Sequence, residues 1–144
     1  MATTNDRAVD EAEVRALIED RAKAVRARDI DGAMPNVAPD VQAFDVVNSL
    51  RYSGSEAARE RLEEWFASFD YEIRDLSIAT GGDVAFCHSL NRVSETKVGG
   101  GGIVMWLRAT VGYRKIDGTW LVAHEHSSVP FDPESGMAAL DLEP

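Results

Sequence analysis

The sequence predicts an α+β domain in which helices come first and an antiparallel sheet follows. Two observations predict this class. Residues 10–28 carry apolar side chains at helical spacing, whereas the second half of the chain holds four alternating segments separated by glycine-containing turns. The length of 144 residues fits one domain with a core of its own. Because the turns between the alternating segments are short, we expect a meander of long antiparallel strands.

The first half of the domain is predicted to be mostly helical. Residues 1–8 are polar and are expected to be loose, so we place the domain at 9–135 and a tail at 136–144. The apolar stripe of the first helix consists of Val14, Leu17, Ile18, Ala22 and Val25. Arg21 falls inside this stripe. Its stem either lies along apolar surface with the charge in water, or the charge points inward at a cavity.

A short second helix, broken near Pro35, and a strand over 41–47 are expected next. The following helix is predicted to begin at Ser53, because Glu56 three residues later completes a capping-box pattern. Its apolar stripe consists of Ala58, Leu62, Trp65, Phe66 and Phe69. The remaining four strands are predicted at 71–81, 83–96, 102–116 and 119–130.

The composition argues against several classes of partner. The net charge is −10, and no basic cluster is present, so we expect neither a nucleic-acid partner nor an anionic membrane surface. A single cysteine, Cys87, excludes an internal disulfide framework and is typical of a reducing compartment. The first residues lack the apolar core of a signal peptide, and no apolar run reaches membrane-spanning length. We therefore expect a soluble cytoplasmic protein.

The segment "VAHEHSS" places His124, His126 and Ser128 on one face of the last strand. What lies opposite depends on the turn at Asp117-Gly118. A two-residue turn would set Val111 and Ala109 opposite the histidines. A three-residue turn, which we favour because it gathers polar groups on one face, pairs the strands as Arg108 with His126, Thr110 with His124, and Trp106 with Ser128.

That register leaves an apolar set on the other face of the strand. Its members are Met105, Leu107, Ala109, Val111 and Tyr113. An exposed surface this apolar would need covering, which predicts a homodimer through this face of the sheet.

Two stretches closely resemble SnoaL-like proteins, also called ketosteroid-isomerase-like, of the NTF2-like superfamily. They are "DVQAFDVVNSLRYSGSEAARERLEEWF" and "WLRATVGYRKIDGTWLVAHEHSSVPFD", and the resemblance extends over residues 10–135. It implies a cone in which a strongly bent sheet wraps a long helix around a mostly apolar cavity. The reaction is not implied, since the superfamily includes isomerases, cyclases, hydrolases, dehydratases and proteins without known activity.

The resemblance also implies roles for individual residues. Asp45 matches the general base of ketosteroid isomerases, with the same gap to the glycine that opens the next helix. Arg21 matches the position of their oxyanion-donating tyrosine, so that tyrosine is replaced here. This replacement argues against steroid isomerisation.

The catalytic candidates are Asp45, His126, Arg108 and His88. A carboxylate among apolar neighbours is a suitable base, a histidine titrates near neutral pH, and an arginine can stabilise an enolate. The ligand-binding candidates are Arg21, Trp106, Thr110, His124, Ser128 and Trp65. We expect no metal site, because His-x-His lacks a third and a fourth ligand nearby.

Two functions follow from these candidates. The first is a cofactor-independent acid–base enzyme of the isomerase, cyclase or hydratase type. It would act on a small, mostly apolar carbonyl or hydroxyl compound in the cavity. The second is a small-ligand-binding or dimeric assembly module of the same fold without chemistry.

Overall fold

The computed structural model describes residues 3–47, 49–65, 69–96 and 102–144, and it has the predicted α+β class. The helices of this part of the chain are α1 (Thr4–Arg26), α2 (Ile30–Ala33) and α3 (Ser55–Trp65). The strands are β1 (Val37–Phe44), β2 (Tyr52–Ser53), β3 (Phe69–Gly81), β4 (Val84–Thr96), β5 (Gly102–Ile116) and β6 (Thr119–Ser128). They form one sheet in the order β2-β1-β6-β5-β4-β3. No helix within the described ranges is long and apolar enough to cross a membrane.

Both long helices begin at a different residue from the predicted one. Thr3 and Asp6 form a reciprocal capping box, so α1 begins at Thr4, and residues 4–8 are helical rather than loose. α3 begins at Ser55 because Ser53 belongs to β2, where its hydroxyl donates to Gln42 Oε1 at 2.9 Å. The capping box predicted at Ser53 therefore does not form.

The strands agree with the prediction most closely in the second half of the chain. β5 has the predicted bounds, and β3, β4 and β6 differ from theirs by at most two residues at each end. β1 differs more, because it begins four residues before the predicted start at 41 and ends at Phe44. Asp45 consequently follows the strand instead of lying inside it.

The sheet has an inner face, which packs against α1, and an outer face. Val14 and Ile18 of α1 are in one core cluster with Val41, Tyr113 and Trp120 from three strands. Val14 and Val41 are completely buried. Burial alternates along β5, where buried residues such as Leu107 and Ala109 flank the exposed Arg108.

The turn between β5 and β6 has two residues, so the predicted three-residue turn is wrong. Asp117 and Gly118 adopt φ values of 51° and 80°, as a type I′ turn requires, and Ile116 pairs with Thr119. A β-bulge then inserts Ala123, because Tyr113 pairs with Val122 whereas Gly112 pairs with His124.

The bulge places the polar side chains of β5 and β6 on one face, as the sequence predicted from an incorrect turn. Beyond it, Thr110 pairs with His126, and Arg108 pairs with Ser128. The polar set therefore does share one face, although each predicted pair is displaced by two residues.

The two faces are inverted relative to the prediction. The apolar set predicted as an outward dimer surface (Met105, Leu107, Ala109, Val111 and Tyr113) is on the inner face of β5. The histidines and Arg108 are on the outer face instead. The physical reason is that α1 covers whichever face buries more apolar area, and this face carries Leu107 and Tyr113.

Candidate active site

A cavity of about 210 Å³ lies between the inner face of the sheet, α1 and α3. Its wall is mostly apolar, with contributions from Ile18, Ala22, Val25, Leu62, Ile73, Leu76, Val93, Leu107 and Val111. The inward residues of β4 that line it are short, among them Cys87 and Ser89. Short side chains on the concave side of a bent sheet leave the space that a small ligand needs.

An ion pair spans one side of this cavity. Arg21 reaches from α1 to the carboxylate of Glu125 on β6, and their side chains are only 25% and 21% exposed. Burial alone would lower the pKa of Arg21, but the adjacent Glu125 carboxylate outweighs that effect, and the net direction is upward. Of the two alternatives for Arg21, the structure has the inward-pointing cation.

Asp45 lines the cavity immediately after β1 ends. The backbone N–H of Val46 donates to Asp45 Oδ1 at 2.7 Å, which orients the carboxylate. Burial raises the pKa of Asp45 and outweighs the lowering effects of this hydrogen bond and of the Arg61 charge. The carboxylate is thus partly desolvated beside apolar surface, which is the environment of a general base.

Tyr52 lies on β2, in register with Ala43 of β1. The Arg61 guanidinium is 5.3 Å from the centre of its ring. Burial, followed by the charges of Glu125 and Asp45, raises the pKa of Tyr52 to about 12. Its hydroxyl therefore keeps its proton at neutral pH and can donate a hydrogen bond inside the cavity.

A chain of hydrogen bonds crosses another part of the wall. The hydroxyl of Ser89 donates to Asn91 Oδ1 at 2.7 Å, and Asn91 Nδ2 donates to the Tyr71 hydroxyl at 2.8 Å. Burial is the main cause that raises the pKa of Tyr71 to about 12, and it also raises the pKa of Tyr113 and of Cys87. These groups are neutral near pH 7, so they supply polarity without charge.

The structure brings only some of the predicted site residues to the cavity. Asp45 and Arg21 line it. Thr110 and His126 border it as members of the two strands of its wall, but both residues are exposed and share the outer face with Arg108 and Ser128. The remaining predicted residues whose side chains are described do not line it; they are Arg108, His88, Trp106, His124 and Ser128. The predicted role of Trp65 concerns a side chain outside the described part of the structure.

The residues that do not reach the cavity interact with one another on the outer face. Arg108 Nε donates to the Ser128 hydroxyl at 3.1 Å, and Arg74 lies 4.8 Å from the centre of the Trp106 ring. The rings of His124 and Phe44 are in edge-on contact, with their centres 4.8 Å apart. Arg108 and His88 therefore cannot act on a ligand in the cavity, which corrects their predicted catalytic role. Among the described residues, no three side chains of metal-binding type come together.

Sequence reasoning missed Glu125, which it placed facing away, and it did not consider Tyr52, Tyr71 or Asn91. For Glu125 the decisive feature is the bulge at Ala123, because one extra residue reverses the face of everything after it. For Asn91 a signal was present in the sequence. Asn91 falls on the same face of the strand as Ala85, Cys87, Ser89 and Val93, and the side chains at all these alternate positions are small or medium-sized. Such a run is typical of a strand that lines a cavity.

Comparisons with known proteins agree with this geometry. The model of the SnoaL-like domain matches residues 14–132. An NTF2-like protein of unknown function from Pseudomonas putida KT2440 is 37% identical, with a TM-score of 0.85 over 95% of this chain and 98% of that one. No curated protein matches.

Two more distant structures show the fold alone. A protein of the NTF2-like family from Streptomyces avermitilis, named for a proposed dehydratase function, is 14% identical, with a TM-score of 0.74 over 85% of this chain and 97% of its own. The association domain of CaMKII from C. elegans is 13% identical, with a TM-score of 0.67 over 87% and 99%. The family model and the similar Pseudomonas protein together show that this chain belongs to the SnoaL-like family of NTF2-like proteins.

Proposed function

We propose that this chain is a cofactor-independent acid–base enzyme that acts on a small, mostly apolar carbonyl or hydroxyl compound bound in the cavity. One observation carries the proposal: the Asp45 carboxylate, with its raised pKa, lines an apolar cavity together with the protonated Tyr52. A base and a hydrogen-bond donor in one desolvated site are the minimum for enolisation. Isomerisation, aldol-type cyclisation and dehydration all pass through such a step.

In this mechanism Asp45 removes a proton from the carbon beside the substrate carbonyl. Tyr52 donates a hydrogen bond to the carbonyl oxygen, where negative charge develops, and so takes the role that the sequence suggested for Arg108. β1 and β2 are paired directly, with Ala43 opposite Tyr52, so Asp45, the first residue after β1, is held near Tyr52. Asp45 then returns its proton to the substrate or to the leaving hydroxyl.

The test is proton exchange between a monocyclic β,γ-unsaturated ketone and D₂O, followed by NMR with the full chain. We expect Asp45→Asn to lower the exchange rate at least about 100-fold, within the usual range for loss of a general base. Tyr52→Phe should lower it by a smaller factor. His88→Asn, on the outer face, is the matched control and should leave the rate unchanged. Exchange that persists in Asp45→Asn would contradict the proposal.

A second candidate is a binding or assembly module that uses the cavity without chemistry. It is favoured by the Arg21–Glu125 ion pair, in which the strongest charges of the cavity neutralise each other instead of facing a ligand. The CaMKII association domain, which shares the fold, is named for assembly. This candidate predicts that a ketone binds wild-type protein and Asp45→Asn equally well, with no exchange in either.

We also propose that the chain forms a homodimer through the sheet. The contact would be made by the outer face, and not by the apolar set of β5 that the sequence suggested. This face carries exposed apolar side chains, among them Phe44, Phe86 and Val104. Exposed apolar groups on a broad sheet are typical of an interface. Sedimentation velocity over a range of protein concentrations tests this association.

A further inference from the structure

A second pocket, of about 190 Å³, lies next to the cavity. Tyr113 and Val122 in its lining are buried, whereas Asp20 and Pro35 are exposed. The pocket thus extends from the core to the solvent. Arg21 and Tyr113 line both the pocket and the cavity, so these two residues lie between the two spaces.

The order of residues around α1 also places Arg21 at the boundary. Successive residues of a helix are about 100° apart around its axis. Leu17 and Asp20, which line the second pocket, therefore lie on one side of Arg21. Ile18 and Ala22, which line the cavity, lie on its other side.

On the sheet, the boundary falls at the β-bulge. Val122, before the bulge at Ala123, lines the second pocket, and Glu125, after it, lines the cavity. Tyr113 pairs with Val122 and is 5% exposed. The contact of Arg21 with Glu125 therefore joins the helix to the sheet where the two spaces meet.

The loop beside the second pocket is fixed to β6. The N–H of Val122 donates to the Asn36 carbonyl at 2.6 Å, and Asn36 Nδ2 donates to the Trp120 carbonyl at 3.0 Å. Asn36 and Val122 both line the pocket, so these bonds give it a preformed wall. The side chains at the boundary, and not this loop, separate the pocket from the cavity.

The volume of the cavity fits one ring. An engineered apolar cavity of about 150 Å³ binds benzene. A space of about 210 Å³ therefore accepts a six-membered ring with a few further atoms. The second pocket would nearly double this space if it were continuous with the cavity, and two fused rings would then fit.

We infer that Arg21, Glu125 and Tyr113 form a partition that closes the cavity against the second pocket and limits the substrate to a single ring. The partition determines the size of the compound, whereas Asp45 and Tyr52 carry the chemistry. The inference rests on the proposed function for the kind of compound that binds. Its test measures binding and not proton exchange.

An ion pair is well suited to this role. To admit a longer compound, the Arg21 and Glu125 side chains would have to separate, and each charge would lose its partner in largely buried surroundings. Separation of a buried pair is costly, so the partition yields less readily than apolar side chains of the same size would.

Binding of two ketones to the full chain, measured by isothermal titration calorimetry, tests the partition. Cyclohexanone has one ring, and decalone adds a second, fused ring. Wild type should bind cyclohexanone more tightly. Arg21→Ala with Glu125→Ala removes both side chains, so neither charge is left unpaired. This open variant should shift the ratio of the two Kd values toward decalone by about tenfold or more, since an apolar group that gains a pocket contributes at least that factor.

The matched control separates the bulk of the partition from its charge. Arg21→Met with Glu125→Gln removes both charges but keeps most of the side-chain volume, and it should retain the wild-type preference. Circular dichroism verifies that each variant is folded. If the open variant does not fold, Arg21→Ala with Glu125→Gln removes only the side chain that reaches from the helix and should shift the ratio in the same direction.

The outcomes are distinguishable. Equal binding of both ketones to wild type, or an unchanged ratio in the folded open variant, overturns the inference. A control that admits decalone as well as the open variant does overturns a partition by bulk. Wild type that binds neither ketone overturns the inference together with the proposed class of substrate. Proton exchange that persists in Asp45→Asn contradicts the proposed chemistry alone, because the ratio of Kd values does not depend on it.

Discussion

In the middle of β4, over residues 85–92, the side chains that point to the inner face are short and those that point to the outer face are long. The inward set there is Ala85, Cys87, Ser89 and Asn91, and the outward set is Phe86, His88, Leu90 and Arg92. Residue volume therefore runs opposite to burial on this strand. A protein that keeps a cavity open must place small residues in its interior, and here the larger ones are on the outer face, where we propose that a second copy binds.

The charged side chains of the two faces also differ in their exposure to solvent. On the inner face, Arg21 and Glu125 form a pair that satisfies both charges in a largely buried setting. On the outer face, Glu72 of β3 lies opposite Arg92 of β4 and pairs with Arg74 at 3.8 Å, and the side chains of this pair are 49% and 48% exposed. The inner ion pair is thus largely shielded from water, whereas the outer one lies in solvent, where an ion pair contributes less to stability.

Deleting Ala123 should have the largest effect, because this residue keeps the two faces distinct. Without the bulge, residues 124–128 turn over, so Glu125 moves to the outer face and leaves Arg21 unpaired. We expect a loss of more than about 4 kcal/mol in the free energy of unfolding, measured by urea denaturation, or failure to fold. Ala123→Gly keeps the residue count and should lose about 1 kcal/mol or less. A deletion variant as stable as wild type would mean that the bulge does not set the faces.

Glu125→Ala should have the next largest effect. It leaves the Arg21 guanidinium buried without its partner, and breaking a buried pair in this way costs about 3 kcal/mol or more. The matched change on the outer face is His88→Ala, at an exposed position of β4 that does not line the cavity, which should cost less than about 1 kcal/mol. Urea denaturation of both variants tests the contrast. Equal losses would mean that the two faces do not differ as described.

The sequence predicted the elements better than it predicted the site, for a physical reason. Periodicity reports which residues share a face, and it grouped Arg108 with the histidines correctly. It does not report which face a helix covers, nor where one extra residue such as Ala123 reverses the alternation. The sequence could indicate that Arg21 points inward, because this residue lies within the apolar stripe of the first helix. The position of Glu125 was not, since it depends on that single bulge.

A pair of identical substitutions on β4 sharpens the comparison of packing. Val93 is 5% exposed on the inner face, and Val84 is 57% exposed on the outer face. Val93→Ala should cost about 2 kcal/mol through lost burial and the space left behind, whereas Val84→Ala should cost about 0.5 kcal/mol. Thermal and urea denaturation at a concentration where the protein is monomeric measure both. A Val84→Ala loss as large as that of Val93→Ala would show that the outer face is packed within one chain.

The smallest effect concerns Asp45, because its carboxyl group is only partly buried. Burial raises its folded-state pKa above the unfolded value of 3.8, so the folded protein holds this proton more tightly than the unfolded chain does. The resulting stabilisation is complete below pH 3.8 and is lost as the pH rises through the folded-state pKa, where the carboxyl group must ionise in the cavity.

Asp45→Asn isolates this contribution, because an amide oxygen can still accept the hydrogen bond from the Val46 N–H but carries no charge at any pH. We expect wild type to lose stability relative to the variant from pH 3.8 upward, and the difference to become constant once the folded-state carboxyl is ionised. Urea denaturation at a series of pH values gives the difference directly. If wild type instead gains stability relative to Asp45→Asn over this range, then the attraction of Arg61 outweighs burial. Asp45 would then be a permanently charged partner of that arginine. The edge of the cavity where Asp45 lies would in that case be solvated like the outer face, instead of desolvated like the rest of the cavity.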